Sequence, residues 1–369
     1  MKENIGIIGI GKLGICLALN LESKYNIIGC DVSEAYVKSI NDGTLKSNEP
    51  KVNELLYASK DFIATTLLSD VIDSCDTIFV MVATPSLPNG KYDHSAIDKV
   101  IAEIIKYIKV PLDKPKYLVI GCTVMPTYCE SIYNKLISYN MHLAYNPEFI
   151  AQGDVINGQL NPDIVLIGEG NKEAGDIVEK IHRSIVKNNA KICRMGLVDA
   201  EITKIALNCF CTIKISYANM IGDLAVKVNA NPDAILNAIG QDSRVGSKYL
   251  KYGDGFGGPC FPRDNRALNV FAIKNGVTLK LSEVVDEANQ LHLDNQVESV
   301  IKSVKKDELI VIDSITYKKG TNIIEESQRL KRAVALAKKG FKVMVRDTSD
   351  VIAKVRDIYG DMLIYETIN

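Results

Sequence analysis

The sequence predicts an α/β protein with three parts: an N-terminal Rossmann-like doubly wound sheet, a central domain built on one long dimerising helix, and a short C-terminal α/β domain. Three features predict it. Short apolar strands alternate with helical stretches from the first residues, and the first turn carries a glycine fingerprint. Asp199 to Val228 contains no proline and no glycine except Gly222. A strand–helix pattern then returns toward the C-terminus. The expected boundaries are 1–196, 197–300 and 301–369, in keeping with the two or three domains that 369 residues allow.

Asn4 to Ile8 reads as a buried strand and Ile15 to Leu21 as a helix. Between them lies Gly9-Ile10-Gly11-Lys12-Leu13-Gly14, a G-x-G-x-x-G run in its required strand–turn–helix setting. The first glycine makes the tight turn, the second lets backbone reach a pyrophosphate, and the third lets helix pack on strand. The helix N-terminus then faces the anion. A second strand, Asn26 to Cys30, ends at Asp31. An acid there suits a ribose 2′-hydroxyl and repels a 2′-phosphate, so NAD is expected rather than NADP. Thr77 to Val82 and Tyr117 to Ile120 are further buried strands, ending at Ala83-Thr84-Pro85 and Gly121-Cys122-Thr123-Val124. Small hydroxyl residues are suited to lining a cleft at strand C-termini. Strands Met141 to Tyr145, Ile164 to Ile167 and Ala190 to Arg194, with a helix from Lys172 to Val186, form a β-rich extension to about residue 196.

The Asp199–Val228 helix is apolar nearly all round, which implies burial on several sides. At about 1.5 Å per residue it reaches roughly 40 Å. It reads as a domain connector and a homodimer seam. Lys204 and Asn208 stand at i and i+4 on one of its faces. Asn231-Pro232-Asp233 opens another helix. Asp242, Arg244, Lys248 and Tyr249 then lead into Gly255-Phe256-Gly257-Gly258-Pro259-Cys260-Phe261-Pro262-Arg263-Asp264. The glycines let backbone approach a ligand. The thiol has a cation and a carboxylate just behind it, and positive charge favours the reactive thiolate. A dinucleotide site together with a nucleophilic cysteine points to an oxidation through a covalent intermediate.

Bulk properties agree with an ordinary globular enzyme: 47% hydrophobic and 24% charged residues. A formal net charge of −1 gives no basis for nucleic-acid or membrane attraction. No apolar run is long enough to span a bilayer, and no basic leader is expected. Nine scattered cysteines without a C-x-x-C pair read as reduced, cytoplasmic thiols, most of them core. The four histidines, His94, His142, His182 and His292, show no ligand spacing, so no metal site is expected.

Taken in order, Asn48-Glu49-Pro50, Thr84-Pro85, Cys122-Thr123-Val124, Asn146-Pro147-Glu148-Phe149, Ala200-Glu201 with Lys204 and Asn208, Asp242-x-Arg244 and Gly255 to Asp264 resemble the UDP-glucose/GDP-mannose dehydrogenase family, the nucleotide-sugar 6-dehydrogenases. The resemblance extends from Gly9 to about Ser327. It implies a four-electron oxidation of a sugar primary alcohol to a carboxylate, with two NAD reduced in turn. Cys260 would form a thiohemiacetal and then a thioester. Lys204 would stabilise charge on the sugar oxygen, assisted by Asn208, and Asp264 would orient water. Glu148 resembles the base for thioester hydrolysis, with Thr123 holding water or hydroxyl. The implied cofactor contacts are Gly9, Gly11, Lys12, Leu13, Gly14, Asp31, Thr84, Pro85, Thr123, Gln152 and Arg263. Those to a UDP-sugar are Glu148, Phe149, Lys204, Asn208, Arg244, Tyr249, Gly255, Phe256, Gly257, Tyr317 and Lys318, the last two in a C-terminal UDP-sugar-binding domain.

The chain also departs from the pattern. Gln152 stands where relatives carry a second glutamate, and an amide cannot take a proton. Tyr36 replaces a basic residue after the ribose acid. Glu325 replaces an arginine, a charge reversal expected to weaken cofactor binding unless Lys318, Lys319 or Arg329 compensates. The C-terminal domain reads as short, with Arg356 as a candidate for a sugar-contacting arginine. Asn-Pro-Glu-Phe and Cys-Phe-Pro lean toward UDP-glucose. GDP-mannose, UDP-N-acetylglucosamine and UDP-N-acetylmannosamine stay open, as do a weakly active nucleotide-sugar binder and a two-electron β-hydroxyacid dehydrogenase.

Overall fold

A computed structural model describes residues 2–150 and 153–368. The chain divides into two compact units, Met1–Lys204 and Ile205–Asn369.

The first unit is built on one eight-stranded sheet. Its strands are β1 (Asn4–Ile8), β2 (Asn26–Cys30), β3 (Phe62–Thr65), β4 (Thr77–Val80), β5 (Lys116–Ile120), β6 (Met141–Tyr145), β7 (Ile164–Glu169) and β8 (Lys191–Gly196). Their order is β3-β2-β1-β4-β5-β6-β7-β8. All neighbours are parallel except β6 and β7. The chain winds outward from β1 to β3, then crosses to β4 on the other side. That makes the ends of β1 and β4 a topological switch point, the place where such sheets bind ligands. The apolar runs of the strands follow from burial on both faces. Phe79, Val119 and Ala144 enter one core cluster, whereas Ile78, Val80, Leu118, Ile120, Leu143 and Tyr145 enter the other, the period-2 alternation of a pleated strand.

The sequence expectation for β4 ran to Val82, but the strand ends at Val80. Its partner β1 turns away at Gly9, so after the bond from Met81 N to the Ile8 carbonyl (2.7 Å) little of β1 is left to pair. The expected β-rich extension is present, with β6, β7 and β8 continuing the same sheet. Strand β3 and several helices, among them Ser95–Ile108 and Lys280–Ser303, have no counterpart in the sequence reading.

The long helix spans Leu197–Lys227, with the boundary between the units just after Lys204. Its first turns are fastened to the first unit by Glu201. This fully buried carboxyl accepts from Thr127 N (2.7 Å) and Cys129 N (2.6 Å). It thereby satisfies two otherwise orphaned donors at the start of the helix Tyr128–Leu136.

The second unit continues with helix Pro232–Gln241, capped by Asn231 Oδ1 on Ala234 N (3.1 Å), as Asn-Pro-Asp forecast. Helices Phe261–Lys274 and Lys280–Ser303 follow. The C-terminal part is a parallel three-stranded sheet of β9 (Leu309–Asp313), β10 (Lys342–Asp347) and β11 (Ile364–Thr367), in the order β11-β10-β9. Its core includes Ile310, Ile312, Val343 and Val345. No helix among the described residues is long and apolar enough to cross a membrane.

Replacing Glu201 by Ala strands the buried Cys129 N–H and removes the partner of the part-buried Thr127 N–H. We expect a loss of about 3 kcal/mol, read as a lower urea midpoint with an unchanged denaturant slope.

Candidate active site

At the switch point the three fingerprint glycines answer to three different constraints. Gly9 takes φ +87°, which a side chain rarely adopts. A Cβ on Gly14 would collide with the Gly9 carbonyl oxygen, so the third glycine is fixed by helix–strand packing. A Cβ on Gly11 would meet nothing within 4 Å. The second glycine therefore keeps open space beside an exposed helix N-terminus, which is what a close-approaching pyrophosphate requires. Lys12 and Leu13 begin that helix. Asp31 follows β2, and its Oδ1 accepts from Ser33 N (3.1 Å). Tyr36, where the sequence reading noted a missing cation, donates its hydroxyl to the Ile10 carbonyl (2.9 Å) and so ties down the glycine turn. Thr84 Oγ1 donates to the Thr123 carbonyl (2.7 Å), which joins the loops after β4 and β5; Pro85 beside it is exposed. These residues fit a dinucleotide. Gln152, also expected at the cofactor, lies outside the described residues.

Glu148 follows β6 in the same unit. Lys204 Nζ donates to its backbone carbonyl (2.7 Å) and lies 4.5 Å from the centroid of the Phe149 ring. Lys204 is only 6% exposed. The Glu148 side chain accepts from Gln159 Nε2 (3.1 Å). Burial pushes its carboxyl up to about 7, against the opposing pull of the Gln159 amide and the Lys204 ammonium. That range suits a group that must accept a proton near neutrality. The preceding Asn146 is pinned by His182 Nε2 (2.6 Å) and donates to the Leu166 carbonyl (2.9 Å). Glu49 accepts from Gly153 N (2.8 Å) and Val155 N (3.3 Å), holding the start of helix Val155–Leu160.

In the second unit Cys260 is exposed and is the N-cap of helix Phe261–Lys274. The positive end of that helix favours negative charge on the sulfur. One turn on, Asp264 N donates to the Cys260 carbonyl (2.8 Å). The Asp264 side chain is 0% exposed and accepts from Asn208 Nδ2 (2.6 Å) and Arg263 Nε (3.1 Å). The Lys204 and Asn208 positions are thus one turn apart on a single helix, and each makes its own buried contact. No disulfide joins any of the nine cysteines.

The glycines before Cys260 are fixed by protein contacts. A Cβ on Gly255 would strike Asn289 Oδ1, on Gly257 the Glu326 carbonyl, and on Gly258 the ring of Tyr317. Phe256 is 3% exposed, and its N–H and carbonyl are engaged by Asn289 (3.0 Å each), with Gln328 adding a 3.0 Å bond to the carbonyl. Tyr249, half exposed, holds a left-handed backbone (φ 64°) and meets Phe261 edge-on at 5.8 Å. Arg244 reaches back to Asp242 (2.7 Å) and is otherwise solvent-facing. Lys318 and Glu325 are exposed. Arg356, read as a candidate for sugar contact, lies over the Tyr365 ring at 4.9 Å.

The sequence reading missed Gln159, and it quoted Glu49 without giving it a role. It also missed His292, whose ring nitrogens face Asp223 (2.9 Å) and the Gly253 carbonyl (2.6 Å) and so brace the stretch leading to Cys260. Only Glu49, inside a recognised motif, carried a signal.

A doubly wound sheet with an open glycine turn and a ribose-type acid defines a dinucleotide-binding domain of the NAD type. Comparison with known proteins is more specific. Residues 3–186 match the NAD binding domain, and residues 198–291 the central domain, of the UDP-glucose/GDP-mannose dehydrogenase family. A UDP-glucose 6-dehydrogenase of Rickettsia felis is 30% identical over 93% of this chain and 78% of its own length. A GDP-mannose 6-dehydrogenase of Pseudomonas syringae is 27% identical over 97% and 84%. The solved UDP-glucose dehydrogenase of Pyrobaculum islandicum superposes with a TM-score of 0.89 at 25% identity, covering 99% of this chain and 86% of that one. The chain belongs to the UDP-glucose/GDP-mannose dehydrogenase family. At that level it is an NAD-dependent nucleotide-sugar dehydrogenase, of a family whose chemistry is a four-electron oxidation.

The raised Glu148 carboxyl has a consequence for stability. Its folded value is about 7 against an ordinary 4.5, so the native state binds the extra proton. The stability contributed by this group is fully present below about pH 4.5 and is lost as pH rises through about 7. Glu148→Gln removes this slope. At pH 8 we expect it to stabilise the protein by roughly 2 kcal/mol, less than the whole shift implies because the side chain is only half-buried. Urea melts of both proteins at pH 5 and pH 8 check this.

Proposed function

We propose that this chain oxidises the C6 hydroxyl of UDP-glucose to the carboxylate of UDP-glucuronate, through a covalent bond to Cys260. The observation that carries the reading is the thiol's setting: an exposed sulfur at a helix N-terminus, on a loop braced by its own glycines, one turn from a buried carboxylate. UDP-glucose is preferred among nucleotide sugars because the relatives of higher identity bear that name and Asn146-Pro147-Glu148-Phe149 and Cys260-Phe261-Pro262 lean the same way.

Gly9, Gly11, Lys12, Leu13, Gly14, Asp31, Thr84, Pro85 and Thr123 would hold NAD, with Gln152 and Arg263 as further proposed contacts. Bound NAD supplies the hydride acceptor for both oxidations. The chain's own groups handle protons and charge. As the first hydride leaves C6, the hydroxyl proton passes to water oriented by Asp264, while the Lys204 ammonium offers its hydrogens to the C6 oxygen as negative charge develops there and Asn208 adds a neutral donor. The aldehyde so formed has no hydride to give until a nucleophile adds. The Cys260 sulfur bonds to C6, and the resulting thiohemiacetal oxygen carries charge that Lys204 again stabilises. Loss of the second hydride leaves a thioester. Glu148 takes a proton from water, the hydroxide attacks C6, and the carbon–sulfur bond breaks to release thiolate and acid. Asp264 orients Asn208 and water. Tyr249, Arg244, Phe149, Phe256, Gly255, Gly257, Tyr317 and Lys318 are the proposed substrate contacts, and residues 301–369 the proposed UDP-sugar domain after a central domain of 197–300.

A homodimer belongs to the same proposal. Leu207, Phe210, Tyr217, Met220 and Leu224 form an exposed apolar stripe along the long helix, suited to a second copy. Leu224→Lys is expected to halve the light-scattering mass; a mass of one chain in the parent protein would remove the seam.

With UDP-glucose and excess NAD, two NADH should form per sugar consumed, and Cys260→Ala should reduce turnover at least about a thousandfold. Undiminished turnover by that variant would rule out the covalent route. A nucleotide-sugar panel, with GDP-mannose included, tests the preference.

A further inference from the structure

On the reading that Glu148 is the base of thioester hydrolysis, we propose that Gln159 is a positioning residue that aims the Glu148 carboxylate and favours its charged form. Gln159 is 4% exposed and is the penultimate residue of the short helix Val155–Leu160. Its Nε2 donates to Glu148 Oε1 (3.1 Å) and lies 3.5 Å from the Leu13 carbonyl. Its Oε1 accepts from Asn20 Nδ2 (2.9 Å), and Asn20 Nδ2 also donates to the Ile156 carbonyl (3.2 Å).

This chain of amides has only one workable direction. A backbone carbonyl can only accept. Ile156 therefore requires the NH2 of Asn20, and that NH2 requires the oxygen of Gln159 on its side. The NH2 of Gln159 is then left facing Glu148, and the Leu13 carbonyl asks for the same orientation at the other end. An amide flip would place oxygen against carboxylate and leave buried polar groups opposed. Gln159 thus donates to Glu148 by construction, and the donated bond favours the ionised carboxylate that can accept a proton from water. It works against burial, which favours the neutral acid.

Other groups among the described residues also act on this carboxyl. Lys204, from the long helix, pulls in the same direction as Gln159. Cys16, from the first helix, has its thiol pushed up to about 12 by burial and by Glu49 and Glu148, so it stays neutral and offers no compensating charge.

The test is a titration of the Glu148 side chain by 13C NMR, in protein labelled at glutamate Cδ and without substrate. The signal is assigned by its loss in Glu148→Gln. Gln159→Met keeps the length and removes the donor. Its Glu148 midpoint should rise so that the ionised-to-protonated ratio at fixed pH falls about tenfold, the worth of one bond to a charged acceptor. Asn20→Leu leaves Gln159 in place but frees it to flip, and should lower the ratio about threefold. If Gln159→Met does not fold, this second variant decides alone. An unchanged midpoint overturns the role given to Gln159, whatever Glu148 does in turnover. The pH profile of UDP-glucose turnover separates the two readings. Its acidic limb should move upward with the NMR midpoint. A moved midpoint with an unmoved limb keeps the Gln159 role and removes Glu148 as the base.

Discussion

Burial of one carboxyl sets the terms for the first unit. Glu148 sits where β6 ends, and its carboxyl is pushed toward neutrality by the atoms packed around it. A carboxyl in that position stays usable as a base only if donors are held against it, because each unmet charge in such a site is costly. Two groups meet the need. Gln159 donates to the side chain, and Lys204 donates to the backbone carbonyl of the same residue while its positive head lies over Phe149. The neighbouring contacts support those two. Asn20 orients Gln159, Glu49 holds the helix that carries it, and His182 fixes Asn146 two residues before Glu148.

The second unit solves a different problem, holding a reactive sulfur at the surface without letting its loop wander. Backbone rigidity comes from contacts that tolerate no side chain at Gly255, Gly257 or Gly258. Polar bracing comes from farther along the chain. Asn289 and Gln328 fix Phe256, His292 takes the Gly253 carbonyl, and Arg329 (2.6 Å) with Arg332 (3.2 Å) hold Asp254. The sulfur is thus offered from a short stretch with its flanks anchored, the preorganisation that a nucleophile in a multistep reaction needs. Tyr249, in a left-handed backbone conformation, shows that some strain is tolerated here.

Much of this was legible in the sequence, for identifiable reasons. Strands buried on both faces read as continuous apolar runs, so β1, β2 and β6 could be drawn to the residue. The glycine fingerprint and Asn231-Pro232-Asp233 are local signals, and local signals survive folding. What escaped depends on distant partners. Glu49 meets Gly153 across 104 residues, and Gln159 meets Leu13 across 146. Nothing about a glutamine in a six-residue helix marks it as buried. The thiol-loop glycines were recognised as special. The side chains and backbone that pack against them belong to Asn289, Glu326 and Tyr317, residues no spacing rule connects to them.

The most direct test of the account is to remove the base and look for the intermediate it should release. Glu148→Gln protein is mixed with UDP-glucose and NAD, quenched in acid, and its intact mass and peptides are measured while NADH is counted. The account predicts a burst of about two NADH per chain and a UDP-glucuronyl mass increment on the peptide containing Cys260. A full NADH burst with no increment on that peptide, or an increment on another residue, would contradict it.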